Sequence, residues 1–168
     1  MGVKAHFKIM YLGDWLHITS QEISKDSILE LVEQIVYSQY ELVKDLIRSQ
    51  WEAGENMDGL AVGFYTEFTE RLSNILGDAI MPKVAGEPYN LLWSGSLFEQ
   101  IRIEYQDYGL DVDSTSENEA PLFGRIAENG IVSEPYTIYG LNLENLEILL
   151  NSIQQDLIEE LLIKLKMR

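Results

Sequence analysis

The spacing of apolar residues changes twice along the chain, and this change restricts the possible folds more than any other feature. From about Ser27 to Ser49, apolar residues recur at steps of three and four, which is typical of an amphipathic helix. Between Ile101 and Val112 the step becomes two, which predicts a β-hairpin with one buried face. From Leu143 onward the helical spacing returns. The order predicts an α+β fold: a small antiparallel β-sheet with a hairpin, packed against a long N-terminal helix and a long C-terminal helix.

Several shorter segments complete this outline. Residues 1–18 form an N-terminal arm that is predicted to be extended or to contain a short strand. Residues 114–120 are polar and are interpreted as a flexible acidic loop. A short helix after Pro121 is predicted to close at Gly130 in a left-handed cap. Residues 135–139 are predicted to form another strand.

Length and composition exclude several classes of protein. The length of the chain predicts a single domain that spans residues 1–168. Because the chain has no cysteine, it cannot form disulfides, use thiolate catalysis or hold a cysteine-based metal site. The net charge of −16 disfavours binding to phosphate backbones. No apolar run reaches the roughly 18 residues of a membrane span, and no signal peptide is recognised, so we expect synthesis in the cytoplasm and no membrane association.

The stretch SQWEAGENMDGL, residues 49–60, can be aligned with a calcium loop if Gly59 is the invariant sixth residue. Asn56 and Asp58 then fall at ligand positions. However, Gly54 stands where the template needs Asp, and Tyr65 stands where it needs a bidentate Glu. Two ligands do not hold the ion, so the stretch is interpreted as a turn. Gly54 is predicted to end the helix, and Asp58-Gly59 to form a turn with glycine at positive φ.

Catalytic motifs are not found in the sequence. His6 and His17 have no metal-ligand spacing, and residues 93–96, WSGS, lack the first glycine of a nucleophile elbow. Asp111 and Asp113 share one face of the predicted strand, but this is the face opposite the apolar residues, which favours solvation. We therefore expect no catalytic residue, no cofactor and no metal ligand. Because the chain has 28 acids, a small carboxylate-dependent hydrolase stays open as a less favoured alternative.

Two glycine-containing motifs stand in a recognisable order. They are Gln50-x3-Gly54-x3-Asp58-Gly59-x5-Tyr65 and the L-x-S-G-x-L element of Leu92, Ser94, Gly95 and Leu97. Ala127-Glu128-Asn129-Gly130 and Pro135-Tyr136 follow. Over roughly residues 28 to 165 the chain thus resembles the head-to-tail neck or tail-completion proteins of tailed bacteriophages. Ser94 replaces the commoner threonine, and Arg125-Ile126 stands in place of a tyrosine that often precedes the alanine.

The resemblance implies a structural virion protein without catalysis. Such a chain would form a homo-oligomeric ring in the virion neck, against other neck, portal or tail proteins, after synthesis in the host cytoplasm. DNA would pass nearby without specific binding, and no cofactor or membrane is implied. The residues assigned to the structural turn motif are Gly54, Asp58, Gly59, Tyr65, Ser94, Gly95 and Gly130.

Two candidate surfaces follow from this interpretation. The candidate subunit interface consists of aromatic and hairpin residues, namely Trp51, Trp93, Ile101, Ile103 and Tyr105. The candidate channel-facing acids are Asp111, Asp113, Glu117 and Glu119. An acidic soluble interaction protein, such as an inhibitor or chaperone that binds a basic partner, would show the same charge and stays the main alternative.

Overall fold

The protein has the predicted α+β architecture. The computed structural model describes residues 5–8, 25–77, 79–92, 94–106, 109–117, 119–128 and 134–166. In chain order, its elements are β1 (Ala5–Lys8), α1 (Lys25–Ser38), α2 (Tyr40–Ala53), α3 (Glu67–Leu76), α4 (Ser96–Glu99), β2 (Ile101–Gln106), β3 (Gly109–Ser114), α5 (Glu119–Glu128), a 3-10 helix (Pro135–Tyr139) and α6 (Leu143–Lys166).

The predicted N-terminal helix is two helices, broken at Gln39. Its amide Nε2 donates to Asp156 Oδ2 at 2.6 Å, and its Oε1 accepts from Ser152 Oγ at 2.9 Å, so the break is tied to α6. The apolar spacing runs through the break because one irregular residue hardly changes the phase of the pattern. The second helix continues past the apolar spacing to Ala53 and ends at Gly54, as predicted.

The sheet has three antiparallel strands in the order β1-β3-β2. Ile103 pairs with Val112 across the predicted hairpin, and Ala5 pairs with Val112 on the other edge. The strand predicted within the N-terminal arm is therefore confirmed at residues 5–8, while the rest of the arm lies outside the described residues. Since β3 is the central strand, it is buried along its whole length, and the prediction of a single buried face was wrong for this strand.

Two predictions near the hairpin were wrong. Residues 114–120 are not a simple loop, because Ser114 ends β3 and α5 begins at Glu119. Ser114 and Ser116 are buried, and Ser114 Oγ donates to the carbonyl oxygen of Leu97 at 3.2 Å. The predicted strand at 135–139 is the 3-10 helix, in which Pro135 occupies the first turn, where its missing N–H costs least. Gly130, the predicted cap of the short helix, lies outside the described residues.

The core lies between α6, α1, α2 and the hairpin. Asn142 Oδ1 accepts from the Asn145 backbone N–H at 3.0 Å and so caps the N-terminus of α6. The inner side of α6 consists of Leu149, Ile153, Leu157 and Leu161, all of them buried. Leu143, where the predicted helical spacing begins, is exposed. Among the described helices, none is long and apolar enough to cross a membrane.

Candidate assembly surface

The stretch 49–60 holds the two halves of the chain together through buried hydrogen bonds. Gln50 Nε2 donates to the Gly140 carbonyl at 2.8 Å, and Gln50 Oε1 accepts from the Asn142 backbone N–H at 2.8 Å. Trp51 Nε1 donates to the Ile138 carbonyl at 2.7 Å. These side chains satisfy backbone groups between residues 138 and 142 that would otherwise be buried without partners. The end of α2 thus positions the start of α6.

Asn56, which sequence reasoning treated only as a failed calcium ligand, organises the turn itself. It is fully buried. Its Oδ1 accepts from the backbone N–H groups of Asp58 at 3.0 Å and Leu60 at 2.9 Å, and its Nδ2 donates to Thr137 Oγ1 at 3.1 Å. The signal available in the sequence was an Asn two residues before Asp-Gly, a common turn-forming arrangement.

The predicted roles of the two glycines are confirmed. Gly54 adopts φ 76° and ends α2, and its backbone N–H is bonded within the last turn of the helix. Gly59 adopts φ 69° next to Asp58, as the turn requires. Both angles lie in the left-handed region that favours glycine.

Tyr65, the aromatic residue of the motif, belongs to a buried polar cluster with Lys83 and Asn90. The Tyr65 hydroxyl donates to Asn90 Oδ1 at 2.9 Å, and Lys83 Nζ donates to the same oxygen and to the Leu92 carbonyl. Lys83 Nζ also lies 5.4 Å from the centre of the Tyr65 ring. Burial raises the pKa of Tyr65 to about 12 and lowers the pKa of Lys83 to about 8. The cluster fixes the loop between α3 and α4.

The residues predicted as a subunit interface lie mostly in the core. Trp51 has no exposed surface and contacts Phe98 and Tyr139, so its prediction as an interface anchor was wrong. Ile101 is also buried, and Ile103 and Tyr105 are half-buried against the core. The hairpin presents its apolar side inward because α1 packs on it; Tyr37 of α1 lies 5.6 Å from the Tyr105 ring. Trp93 lies outside the described residues.

The predicted channel-facing acids do not all lie on the surface. Asp111 and Asp113 are buried on the central strand, so they do not face a channel, and that prediction was wrong for both. Arg102 covers Asp113 with two bonds, Nε to Oδ1 at 3.1 Å and Nη2 to Oδ2 at 2.8 Å. This pairing raises the pKa of Arg102 through the hydrogen bond with Asp113 and the attraction of the carboxylates of Asp113 and Glu104. Glu117 is exposed, and the Glu119 side chain lies outside the described part of the chain.

The surface feature that stands out is the apolar side of α3, which we call the α3 stripe. Phe68, Leu72, Ile75 and Leu76 lie at helical spacing on one side of this helix, over an arc of about 100°. Phe68 is 73% exposed, Ile75 is 79% exposed and Leu76 is 55% exposed, whereas Leu72 is half-buried. An amphipathic helix of a globular protein normally buries such a side.

The side chain of Glu70, which lies opposite the stripe, links α3 to the loop that precedes α4. Ser73 is the one buried residue of the helix. Glu70 Oε2 accepts from the Ala85 backbone N–H at 2.9 Å, and Ser73 Oγ donates to the Glu70 carbonyl at 2.9 Å. Thr66 caps the N-terminus by accepting from the Thr69 backbone N–H at 3.2 Å. The helix is therefore held with its apolar side turned to solvent.

A groove of about 550 Å³ opens beside the α3 stripe. Its walls come from α3, from the turn before α4 and from α5, and include Phe68, Leu72, Leu91, Leu97, Leu122 and Arg125. Ser94 and Gly95, the second predicted turn, lie in the wall directly before α4. Leu91 adopts φ 52°, a left-handed conformation that costs a residue with a side chain about 1–2 kcal/mol. Such strained residues concentrate at functional sites.

The described residues that line the groove offer mainly apolar contact. Within these residues, no group of three or more His, Cys, Asp or Glu side chains could hold a metal ion. The groove wall is mainly apolar, with Arg125 and a few hydroxyl groups. Comparison of the chain with protein-family models, with curated proteins and with solved structures finds no match.

Sequence reasoning missed the α3 stripe as a functional surface. Leu72 and Ile75 stand at helical spacing in the sequence, and Gly77 ends the helix. The spacing predicts that a helix has an apolar side but does not say whether that side faces the core or a partner. That distinction needs the contact between Glu70 and Ala85, which joins α3 to a segment outside the helix.

Proposed function

We propose that this chain is a non-catalytic assembly subunit, which forms a homo-oligomeric ring in the head-to-tail neck or tail-completion region of a tailed phage. The observation that supports assembly most directly is the α3 stripe. Large exposed apolar patches on soluble proteins mark interaction sites. Here the patch belongs to a helix whose polar side is the attached one, so covering it needs no rearrangement of the core.

The assignment to the phage neck rests on the resemblance of the sequence motifs. What the structure adds is a physical role for several motif residues. Gly54, Gly59 and Tyr65 organise the connection from α2 to α3, and Ser94 and Gly95 line the groove. The motif residues therefore position the helix that carries the α3 stripe and form part of one wall of the groove. In a ring, each subunit offers one surface to a different surface of its neighbour.

The charge suits a protein that surrounds DNA without binding it. A chain of net charge −16 repels phosphate groups at low and moderate salt. Because Asp111 and Asp113 are buried, any such repulsion must come from other acids. Exposed acids are abundant on α1, α2 and α6, for example Glu33, Glu52 and Glu159.

Immunogold electron microscopy of purified virions tests the proposed location. Antibody raised against the chain is expected to label the head-to-tail junction. Absence from both intact and gently opened particles would overturn the proposal. In that case an acidic interaction protein becomes the better interpretation, and capture of a soluble basic partner outside any particle would support it.

A further inference from the structure

The outer side of α6 is a second exposed apolar surface, distinct from the α3 stripe. Ile148, Ile158 and Leu162 lie within about 80° of one another around the helix, on the side opposite the buried leucines. Their exposed fractions are 45%, 40% and 50%. Asn151 and Gln155 lie between them, so the middle of this surface carries no charge in a protein of net charge −16. Loss of charged residues from the centre of a patch is characteristic of protein interfaces.

We propose that the outer side of α6 of one copy docks on the α3 stripe and its groove in a second copy. This inference rests on the proposed function and names the two surfaces that meet. Each is apolar, exposed and carried by a helix that the fold already holds in place. The groove, at about 550 Å³, has room for several aliphatic side chains.

Charge complementarity favours this pairing over other occupants. Among the described residues that line the groove, Arg125 alone is charged. On α6, Glu144 and Glu159 are exposed on the same side as Ile148 and Leu162. Docking of α6 brings carboxylates toward the guanidinium, whereas an α3–α3 contact would bring two copies of Arg125 together. Like charges placed against each other destabilise a contact. The contact between α3 of one copy and α6 of the next, a head-to-tail arrangement, is therefore preferred over an α3–α3 contact.

The head-to-tail arrangement has a geometric consequence. Each copy uses its α6 surface on one side and its α3 stripe on the other, so every added copy leaves the same two surfaces available. Such heterologous contacts form a closed ring when the rotation between copies closes, and a filament when it does not. Pairing of identical surfaces would instead stop at a dimer.

Cysteine cross-linking tests the pairing directly, because the chain contains no cysteine of its own. One set of variants carries Phe68→Cys or Ile75→Cys on α3, and the other carries Ile148→Cys or Ile158→Cys on α6. Full-length proteins of different tag length are mixed and treated with a short bis-maleimide. Linked dimers are expected from at least one α3–α6 mixture and not from either variant alone.

Matched controls use exposed positions on other sides of the same helices. Asn74→Cys on α3 and Glu160→Cys on α6 are expected to give only background linking in every mixture. Linking of α3 variants to themselves would overturn the proposal in favour of a symmetric contact. Absence of α3–α6 linking above the control level would overturn it as well.

A charge exchange separates docking from random collision. Arg125→Glu is expected to lower α3–α6 linking about fivefold, since it places like charges together at the edge of the contact. Glu159→Arg in the α6 partner is expected to restore linking. Failure of this rescue, with both proteins folded by circular dichroism, would contradict the pairing through Arg125.

The outcomes for the two proposals can be told apart. Labelling of virions without α3–α6 linking would leave the neck assignment intact and remove only this pairing. Linking without labelling of virions would leave the self-docking surfaces intact and remove the neck location.

Discussion

Gly54 and Gly59 have similar left-handed φ angles but different surroundings. Substitution at each position therefore distinguishes the cost of conformational strain from the cost of steric overlap. A Cβ at Gly54 would lie 2.5 Å from Pro88 Cβ and 2.7 Å from the Tyr89 carbonyl oxygen, whereas a Cβ at Gly59 would meet nothing within 4 Å. Gly59→Ala is expected to cost only the conformational strain, about 1 kcal/mol. Gly54→Ala is expected to add steric overlap and cost roughly 3 kcal/mol or more in the free energy of unfolding.

Urea denaturation monitored by tryptophan fluorescence measures both variants against the native chain. If both variants lost the same free energy of unfolding, the loop at Pro88 would have to move aside without cost. That result would contradict a rigid connection between α2 and α3. Added calcium is expected to leave the midpoint of each curve unchanged, since the turn is organised by Asn56 and not by an ion.

Lys83 and Tyr65 give the stability of the protein a specific dependence on alkaline pH. The pKa of Lys83 is about 8 in the folded chain against an ordinary value of 10.5. Between these values the unfolded chain holds a proton that the folded chain has released, so stability rises with pH. The pKa of Tyr65 is raised from 10.0 to about 12, so the folded chain keeps a proton that the unfolded chain loses, and stability falls over that interval.

Urea midpoints from pH 8 to pH 11 are therefore expected to rise first and then fall. Lys83→Met should remove the rise between pH 8 and pH 10, whatever its effect on absolute stability. Tyr65→Phe should keep the rise of the urea midpoint above pH 8 and weaken its fall toward pH 11. A Lys83→Met profile parallel to that of the native chain would show that the lysine does not titrate in this window.

At the scale of elements, the exposed side of α3 and the buried side of α6 should respond to substitution in opposite ways. Ile75 is exposed in the single chain, so Ile75→Lys is expected to change the free energy of unfolding by no more than about 0.5 kcal/mol. Leu157 is fully buried on α6, so Leu157→Ala is expected to cost about 2–5 kcal/mol. Ile75→Lys should nevertheless abolish self-association in sedimentation velocity.

A stability loss of several kcal/mol in Ile75→Lys at monomer concentrations would contradict this separation. It would mean that the α3 stripe packs within the chain in solution. Asn74→Lys, on the polar side of the same helix, serves as the matched control and should change neither stability nor association.

Periodicity in the sequence was enough to predict most elements but not their environments. The hairpin, α6 and the end of α2 at Gly54 follow from local spacing and a glycine stop, because these depend on neighbours within a few positions. The break at Gln39 could not be predicted this way, since it depends on Ser152 and Asp156 in α6. Burial of Asp111 likewise depends on a strand more than 100 positions away.

The candidate site was less predictable than the fold for the same reason. Aromatic residues attract attention as interface anchors, yet Trp51 bonds Ile138 across the core and is unavailable to a partner. The exposed stripe uses ordinary residues such as Ile75 and Leu76, which in a helix are more often core. Whether an apolar residue is buried or exposed is decided by tertiary contacts, which local spacing does not contain.

At the scale of the whole molecule, a strong acidic charge opposes the apolar contacts that we propose between copies. Neighbouring subunits of net charge −16 repel one another, and this repulsion reaches farther as salt is removed. The screening length is about 30 Å at 0.01 M salt and about 10 Å at 0.1 M. Apolar contacts between the α3 stripe and α6 do not weaken on addition of moderate salt.

Self-association should therefore strengthen as ionic strength increases. Sedimentation velocity at fixed protein concentration is expected to show mainly single chains at 0.01 M salt and larger species at 0.3 M, once repulsion is screened. Ile75→Lys should stay a single chain at both salt concentrations, because screening cannot replace a lost apolar contact. Stronger association of the native chain at low salt would mean that opposite charges such as Arg125 and Glu159 dominate the contact, and would contradict an interface driven by apolar burial.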